Sequence, residues 1–344
     1  MRNDKYKKNL LLLAVMGALV SGISGCSDDD KSSLEFSSQV EMPISGLAAG
    51  DAAESGEQYD YSTLAVFDWK NYGDQTPKPR FGVVERHGDS ATVVPLDQSI
   101  IDWPDSEPRG NDLEAICQID DTYYLAAESS YYHDEDADTY QYGRLFLIAR
   151  DPTQGSLYAG LLWAATYQLS NDPSIYNGIN FEGLACAPSD SNDGSYNILL
   201  GDRESGDLYW DKIQPMADIT SGTTQVLDLK PVGNIQAPVE WGTNRNISEL
   251  FYSTTEHYLY GVASFDPDES PDSPRATMYK STDTFYLESD AFMQYLTGNI
   301  DVEAVHSFPN HKIEGITAYG TTGGMFYGSD DDTDTNEYGL VKVQ

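Results

Sequence analysis

The sequence predicts an all-β fold, a five-bladed β-propeller with four strands in each blade. A tetrapeptide with an apolar first and fourth residue recurs five times in the 344 residues, and each copy opens a series of strand-like runs. The second residues of the tetrapeptides are 69, 68, 66 and 66 positions apart. The five copies are ISGL at Ile44, LEAI at Leu113, FEGL at Phe181, ISEL at Ile247 and IEGI at Ile313.

Each repeat contains β-branched and aromatic runs separated by turn residues, a pattern typical of short antiparallel strands. The second repeat reads LEAICQI, TYYLAAE, GRLFLIAR and LYAGLLWAATYQL, and the third reads FEGLACA, SYNILLGDRE, GDLYWDK and TTQVLDLKPV. The fourth reads ISELFYS, HYLYGVASF, ATMYKS and EAVHSF, and its interruption, YLESDAFMQYL, predicts a short helix. Two β-sandwiches would use similar strands but would not explain a five-fold period.

The two ends of the propeller sequence predict how the ring closes. The fifth repeat supplies only three runs, IEGITAYG, GMFYGS and YGLVKV. An additional run, SLEFSSQVEM (Ser33–Met42), precedes the first repeat. We expect this run to form the fourth strand of the last blade, which closes the ring and leaves few exposed sheet edges.

When the five tetrapeptides are aligned, their second residues form a column that contains only Ser and Glu. The first strand of a blade lines the central channel, so the column should form a ring near one mouth. Its three carboxylates need a positive charge, and no Arg or His recurs beside them. Because oxygen ligands suit hard ions, we predict Ca²⁺, with Mg²⁺ as the second choice. The alternative is that these side chains cap backbone N–H groups. The column is Ser45, Glu114, Glu182, Ser248 and Glu314.

The loops between second and third strands should return to the same mouth, and several are acidic. They include SSYYHDEDADTYQY, DPDESPDSP and SDDDTDTNE, which we interpret as a solvated acidic face, with further ion binding as the alternative. Arg203, flanked by Asp202 and Glu204, could anchor a phosphate or carboxylate ligand together with the ion. Alternatively, Arg203 simply pairs with one of its two acidic neighbours. Further basic residues expected near this face are Lys78, Arg80, Arg144 and Arg245.

The composition excludes some classes of function. The chain has 20 Lys and Arg against 56 Asp and Glu, a formal charge of −36, and no basic cluster, so nucleic-acid binding is excluded. It contains no GxSxG, no Cys–His couple and no HExxH, so no catalytic residue is assigned. We expect a monomer.

The first residues resemble an export signal. Basic residues precede an apolar run, Leu10–Val20, and the sequence ISGC ends at Cys26, as in bacterial lipoproteins in which the cysteine is lipidated. We therefore expect a signal peptide at 1–25, a tether at 26–32 and one propeller domain at 33–344. The protein should be anchored in the bacterial cell envelope, at the outer membrane, on its periplasmic or surface face.

Two cysteines remain beyond the signal region, Cys117 and Cys186. They follow the column residues Glu114 and Glu182 by three and four positions on adjacent blades. A disulfide between them suits a protein outside the cytoplasm; two buried free thiols are the alternative.

The column Ser-Glu-Glu-Ser-Glu within the five tetrapeptides resembles that of the SdiA-regulated family of bacterial propellers, part of a phytase-like and esterase-like group. The resemblance spans about Ile44 to Val343. It implies a five-bladed, envelope-associated propeller that binds calcium through Ser45, Glu114, Glu182, Ser248 and Glu314. The same column is similar to that of calcium-activated nucleotidases, although the residues with which those enzymes engage their substrate have no counterpart in this sequence.

Two functional hypotheses follow. The first is a lipid-anchored, Ca²⁺-stabilised propeller that binds a protein partner or a small ligand on its acidic face. The second is a phosphoric-ester hydrolase, nucleotidase- or phytase-like, that uses the central ion to polarise its substrate and activate water.

Overall fold

The structure is a computed structural model. None of its described helices is long and apolar enough to cross a membrane. All described residues belong to the compact unit Leu34–Gln344. They are residues 35–48, 60–69, 79–96, 112–120, 122–129, 132–134, 139–141, 143–151, 158–167, 179–217, 226–266, 274–319, 323–331 and 336–343.

Apart from one separate two-stranded hairpin, the described strands form five small sheets, each with four antiparallel strands, which are the five blades of the predicted propeller. Blade 1 contains β2 (Gly46–Ala48), β3 (Tyr61–Val66), β4 (Phe81–His87) and β5 (Ser90–Pro95). Blade 2 contains β6 (Leu113–Gln118), β7 (Tyr123–Glu128), β10 (Arg144–Asp151) and β11 (Tyr158–Tyr167). Blade 3 contains β12 (Phe181–Pro188), β13 (Tyr196–Asp202), β14 (Asp207–Ile213) and β16 (Lys230–Ile235). Blade 4 contains β17 (Glu249–Ser253), β18 (Tyr258–Phe265), β19 (Arg275–Ser281) and β21 (Val302–Phe308). Blade 5 contains β22 (Ile313–Tyr319), β23 (Gly324–Ser329), β24 (Asn336–Lys342) and β1 (Phe36–Val40).

The N-terminal strand closes the ring, as predicted. Strand β1 pairs antiparallel with β24, with Phe36 opposite Leu340 and Val40 opposite Asn336. The predicted helix is also present, as the short helix α1 (Asp290–Tyr295), whose first turn is capped by the Ser289 hydroxyl.

Two strand predictions were incomplete. The run TTQVLDLKPV is split: β15 (Val226–Leu227) pairs in parallel with β11 of blade 2, and only β16 belongs to blade 3. The Asp211 side chain accepts a hydrogen bond from the Asp228 backbone N–H (2.9 Å), at the residue between the two strands. The acidic loop of blade 2 contains a hairpin of β8 (Tyr132–Asp134) and β9 (Thr139–Gln141). Strand β20 (Asn299–Ile300) also adds to the sheet of the preceding blade, because it pairs in parallel with β16 of blade 3.

The core consists of apolar layers between neighbouring blades. One buried cluster fills each of the five interfaces, and each contains residues of two adjacent blades. The first and fourth residues of every tetrapeptide pack in the layer shared with the preceding blade; for blade 3, these are Phe181 and Leu184. The apolar positions of the motif therefore join the blades, which leaves the second position for the channel.

Candidate functional site

A β-bulge occurs at the second motif position in all three blades that carry Glu. The register passes from Leu113–Glu128 to Ala115–Ala127 in blade 2, and Glu114 faces no partner residue. The same shift occurs at Glu182 and Glu314. In a regular strand, residues one and four face opposite sides, so the extra residue explains why both apolar positions contact the same neighbouring blade. Bulges of this kind re-aim a side chain; here they carry the three carboxylates.

All five residues of the predicted column are buried, with side chains of Ser45, Glu114, Glu182, Ser248 and Glu314 between 0% and 6% exposed. They lie where the inner strands begin, at one end of the channel, which we call the mouth. The hydrogen-bond partners of the five side chains differ from blade to blade. Their joint binding of one ion stays a prediction.

Arg245 joins two of the three Glu residues. Its Nη1 lies 3.1 Å from Glu182 Oε1, 3.2 Å from Glu182 Oε2 and 3.1 Å from Glu314 Oε1. Its Nη2 donates to Asp266, which follows β18 of blade 4. Arg245 is one of the basic residues expected near this face, and although no Arg recurs beside the column, this one contacts both Glu182 and Glu314. A guanidinium carried by the chain supplies the positive charge between them.

Two further cations reinforce this side of the mouth. Arg203 Nη1 lies 2.8 Å from Glu182 Oε1, and after reorientation of the Asn180 amide, its oxygen also accepts from Arg203. Lys312 Nζ lies 3.3 Å from Glu314 Oε1 and 4.0 Å from both Asp266 and Asp330. Blades 3, 4 and 5 thus form a buried network of alternating charges at the mouth.

Glu114 of blade 2 differs from its two counterparts. In the described part of the chain, it forms no ion pair and accepts no hydrogen bond. Burial raises its pKa well above the usual value, and the neighbouring carboxylates of Asp112, Glu182, Glu314 and Asp68 raise it further. For Glu314, burial also raises the pKa, but Lys312 opposes the shift. Among the three Glu residues, Glu114 is the one without a direct ion pair in the described part of the chain, although its charge acts on Arg245 from a greater distance.

Glu114 belongs to a cluster of three carboxylates that we call the acidic corner. One oxygen each of Asp68, Asp112 and Glu114 lies within 4.8 Å of the other two, a geometry that could hold a metal ion. Asp68 follows β3 of blade 1, and Asp112 immediately precedes β6. The Ser45 hydroxyl accepts a hydrogen bond from the Asp68 backbone N–H (3.2 Å), and Ser129 donates to Asp112. Carboxylate oxygens alone fit a hard cation rather than zinc.

The two column serines have local partners. The Ser45 contact with the Asp68 backbone N–H is the capping role that was the alternative to metal binding. Ser248 shares a hydrogen bond with Ser264 of the adjacent strand at 2.5 Å. Ser45 nevertheless connects the column to the acidic corner, because its partner is the backbone of Asp68.

The remaining residues predicted near the mouth have varied roles. Asp202 shapes the turn after β13, because its carboxylate accepts from the Asn180 N–H (2.6 Å) and the Ser205 N–H (2.8 Å). Glu204 is largely exposed and lies 3.6 Å from Arg203 Nη2, a loose contact. Arg144 forms a two-point pair with Glu128 of its own blade. Arg80 is buried beside the end of β3. Cys26, Lys78 and much of the acidic loops lie outside the described residues.

Sequence reasoning missed Asp68, Asp112 and the roles of Arg245 and Lys312. A second repeating column of the sequence, made of aspartates, could have indicated Asp68. Asp202, Asp266 and Asp330, each 64 residues apart, stand at or directly after the end of the second strand of blades 3, 4 and 5. Asp68 stands two residues past the same strand end in blade 1. Because second strands end at the mouth, this column predicts a second layer of carboxylates around the first.

The far end of the channel is different in character. A disulfide joins Cys117 on β6 to Cys186 on β12, with a Cα–Cα distance of 6.0 Å. It lines a cavity of about 490 Å³, which we call the far cavity. The wall of the far cavity begins at the fourth motif residues Leu47, Ile116, Leu184 and Leu250, so it does not include the column carboxylates.

No protein-family model matches the chain, and no curated protein matches it. Several solved structures are similar to this chain over most of its length. A GH43 endo-arabinanase from Bacillus licheniformis is 12% identical with a TM-score of 0.48, over 89% of this chain and 96% of that one. An α-L-arabinanase mutant from Cellvibrio cellulosa is 10% identical with a TM-score of 0.48, over 88% and 92%. A mannose phosphorylase from Leishmania mexicana is 10% identical with a TM-score of 0.45, over 88% and 87%. These likenesses concern the fold alone.

Proposed function

We propose that this protein is a cation-binding propeller of the bacterial cell envelope that recognises a ligand at its mouth. The single observation that carries the proposal is the contrast within the motif column. Glu182 and Glu314 form ion pairs with chain-borne cations, whereas Glu114, buried beside Asp68 and Asp112, forms no ion pair among the described residues. Burying an unpaired carboxylate is costly, and a bound cation removes that cost.

Ca²⁺ is the ion that fits these residues best. Asp68, Asp112 and Glu114 offer only oxygen ligands, and Ca²⁺ accepts six to eight oxygens in flexible geometry, with water completing the set. Mg²⁺ demands a tighter octahedral arrangement and is the second choice.

The ligand we propose is a small anion-bearing molecule or an acidic group of a partner protein. Arg203 is held by Glu182 on one side, while the contact of its Nη2 within the described part of the chain is the loose, exposed one with Glu204. Its side chain is 27% exposed, so a phosphate or carboxylate can reach it. A ligand with such a group would bind Arg203 and the cation together, which overcomes the repulsion of the acidic face.

The test compares variants of the metal-stripped protein by calorimetric titration with CaCl₂ and MgCl₂. We expect wild type to bind Ca²⁺ and to gain thermal stability with it, whereas Glu114→Gln and Asp112→Asn lose binding. Glu303→Gln, at an exposed position on β21, is the matched control and should bind normally. Ser248→Ala separates the acidic corner from the complete column, because only the column requires Ser248. Ca²⁺ binding that survives Glu114→Gln, or wild type that binds no Ca²⁺, would contradict the proposal.

We also propose that lipidation at Cys26 anchors the protein in the outer membrane. The support is the sequence ISGC after an apolar run. Expression of the full chain in a Gram-negative host should give a lipid-modified protein in the outer-membrane fraction. Cys26→Ala should release it in soluble form. Mass spectrometry of the processed N-terminus measures the outcome, and an unmodified cysteine would rule out the anchor.

Phosphoric-ester hydrolysis is a second candidate, favoured by one observation. Two guanidinium groups, Arg203 and Arg245, lie at the same mouth as a carboxylate cluster that could hold a metal. Metal ions polarise phosphoryl oxygens, and Arg binds them in two-point fashion. The Ca²⁺-loaded protein should then cleave nucleotides, phytate or bis(4-nitrophenyl) phosphate, and Arg203→Met should reduce the rate. No turnover with any of these would leave ligand binding as the function.

A further inference from the structure

The far cavity has the size and the walls of a small-molecule binding site. Its volume of about 490 Å³ lies within the range of roughly 300–1,000 Å³ that is usual for ligand pockets. All five blades contribute to it at the level of the fourth and fifth motif positions. These residues are Leu47, Ala48, Ile116, Cys117, Leu184, Ala185, Leu250, Phe251 and Thr317. The pocket therefore lies on the channel axis, at the opposite end from the mouth carboxylates.

Small residues at the fifth motif position leave this end of the channel open. Ala48 and Ala185 occupy the position in blades 1 and 3, and Cys117 is held in the disulfide of blade 2. Only Phe251 of blade 4 carries a large side chain there. Because protein interiors otherwise pack densely, a concave space with apolar walls indicates a place for an occupant.

The charged side chains of the wall are already paired. Asp120 accepts hydrogen bonds from backbone N–H groups two and three residues later, at 2.8 Å each. Glu256 accepts from the Tyr260 hydroxyl at 2.8 Å, and Lys280 Nζ lies 3.4 Å from Glu303 Oε1. A charged ligand would lose its hydration here without a counter-charge of its own. The pocket therefore selects against ions, in contrast to the mouth.

Two neutral side chains of the wall retain hydrogen-bonding capacity in the described part of the chain. The Thr317 hydroxyl is buried and has no hydrogen-bond partner there, and neither has the half-buried Gln118 side-chain amide. Ala48 and Ala185 show that packing at the Thr317 position does not require a hydroxyl. An unpaired buried hydroxyl costs about 1–3 kcal/mol, so a hydrogen-bonding group of a ligand would offset a real cost.

Aromatic side chains form the blade 4 side of the pocket. The rings of Phe251 and Tyr260 have centroids 6.2 Å apart, and Lys280 Nζ lies 5.3 Å from the centroid of the Tyr258 ring. All three rings line the cavity. The Tyr260 hydroxyl is engaged by Glu256, which leaves the ring for apolar contact. Such surfaces favour flat rings in stacked or edge-on contact.

We propose that the far cavity binds a neutral, ring-containing small molecule that carries a hydrogen-bonding group. The apolar floor and the aromatic side bury the ring, and Thr317 and Gln118 orient the polar group. The site is distinct from the proposed cation site, because the two lie at opposite ends of the channel and favour opposite chemistry.

The test uses two fluorescent probes with the same ring system. N-phenyl-1-naphthylamine is neutral and has one N–H donor, whereas 8-anilinonaphthalene-1-sulfonate adds a negative charge. The full chain with Cys26→Ala keeps any lipid out of the measurement. We expect saturable binding of the neutral probe with one site per chain, and affinity for the sulfonate about tenfold lower or weaker still. Absence of saturable binding, or equal affinity for the two probes, would overturn the proposal.

A matched pair of substitutions locates the bound probe. Ala318 lines the far cavity and is half-buried, whereas Ala304 is exposed on the outer strand of blade 4. Ala318→Trp should fill the pocket and weaken binding of the neutral probe by about tenfold or more, and Ala304→Trp should leave it unchanged. Equal affinity in both variants would place the probe elsewhere and overturn the proposal.

A measurement on the chain without these substitutions covers poor folding of Ala318→Trp. Met325 lines the far cavity, whereas Met293 is buried on α1 away from it. With methionine methyl groups labelled with ¹³C, the neutral probe should shift the Met325 resonance and leave that of Met293 in place. Met325→Leu and Met293→Leu assign the two resonances. A shift at Met293 without one at Met325 would overturn the proposal.

Discussion

Glu114 and Glu182 occupy the same position of the same motif, in neighbouring blades and in the same type of bulge, yet their surroundings are opposite. Glu182 lies within 3.2 Å of guanidinium nitrogens from Arg203 and Arg245. Glu114 lies among the carboxylates of Asp68 and Asp112. The repeat therefore sets the position of a carboxylate, and the residues that flank each inner strand set its charge environment. A need for an external cation can arise in one blade of an otherwise regular ring.

The largest effect on stability should come from removing Arg245, the cation that Glu182 and Glu314 share. Arg245→Met leaves the buried carboxylates of Glu182, Glu314 and Asp266 without their shared partner, and we expect a loss of about 3–5 kcal/mol in the free energy of unfolding. Urea denaturation measures it. Arg275→Met, at the half-buried start of β19, is the control; its Nε donates to the Gly242 carbonyl oxygen (2.8 Å) instead of to a buried carboxylate, and its loss should cost about 1 kcal/mol. Equal losses in both variants would show that the charge network contributes little.

The disulfide joins the two blades under comparison, and its loss should have the next largest effect. Cys117 and Cys186 are 69 residues apart, a loop for which closure entropy predicts a stabilisation of about 4 kcal/mol, with measured cases of about 2–4 kcal/mol. We expect the Cys117→Ser, Cys186→Ser double variant to unfold at lower urea concentration. Wild type in a reducing agent should behave like the double variant, and unchanged stability in both would contradict the prediction.

One substitution at equivalent positions should give effects of opposite sign. In EDTA, Glu182→Gln removes charged hydrogen bonds to Arg203 and Arg245 and should cost about 2 kcal/mol. Glu114→Gln removes an unpaired buried charge and should stabilise the metal-free protein by about 1 kcal/mol. Excess Ca²⁺ should reverse the second result, because wild type then gains the bound ion. If both substitutions changed the free energy of unfolding in the same direction in EDTA, the proposed difference between the surroundings of Glu114 and Glu182 would be contradicted.

The smallest effect concerns His311, two residues before the blade 5 motif. A hydrogen bond from its Nδ1–H to Asp331 Oδ2 (2.8 Å) raises the pKa of His311 above the ordinary value, although burial opposes the shift. Because the folded pKa is the higher one, this contact stabilises fully below the unfolded value of about 6.5 and is lost as pH rises through the folded pKa. His311→Gln should remove a pH dependence of less than about 1 kcal/mol between pH 6 and 8. Identical profiles for variant and wild type would contradict the assignment.

Most of the architecture could be predicted from the sequence, because the apolar pattern that forms each blade occurs five times. Apolar residues at fixed intervals must fill five equivalent interfaces, and the closing strand and the helix follow from local patterns. The charge network could not be predicted in the same way. Arg245 occurs in one blade only, and Asp68 and Asp112 approach Glu114 from different blades, so no periodic signal identifies their partners. The bulge at Glu114, Glu182 and Glu314 became clear only when strand register was known.

The direction of the closing strand determines which side of the propeller can face a partner. Strand β1 runs antiparallel to β24, with Phe36 at the end of β24 that lies away from the mouth. The chain thus enters the propeller on the side of the far cavity and reaches the mouth only at Ile44. Glu35, the first described residue, therefore lies on the rear side of the propeller, and a partner that contacts the acidic corner and Arg203 approaches from the opposite side.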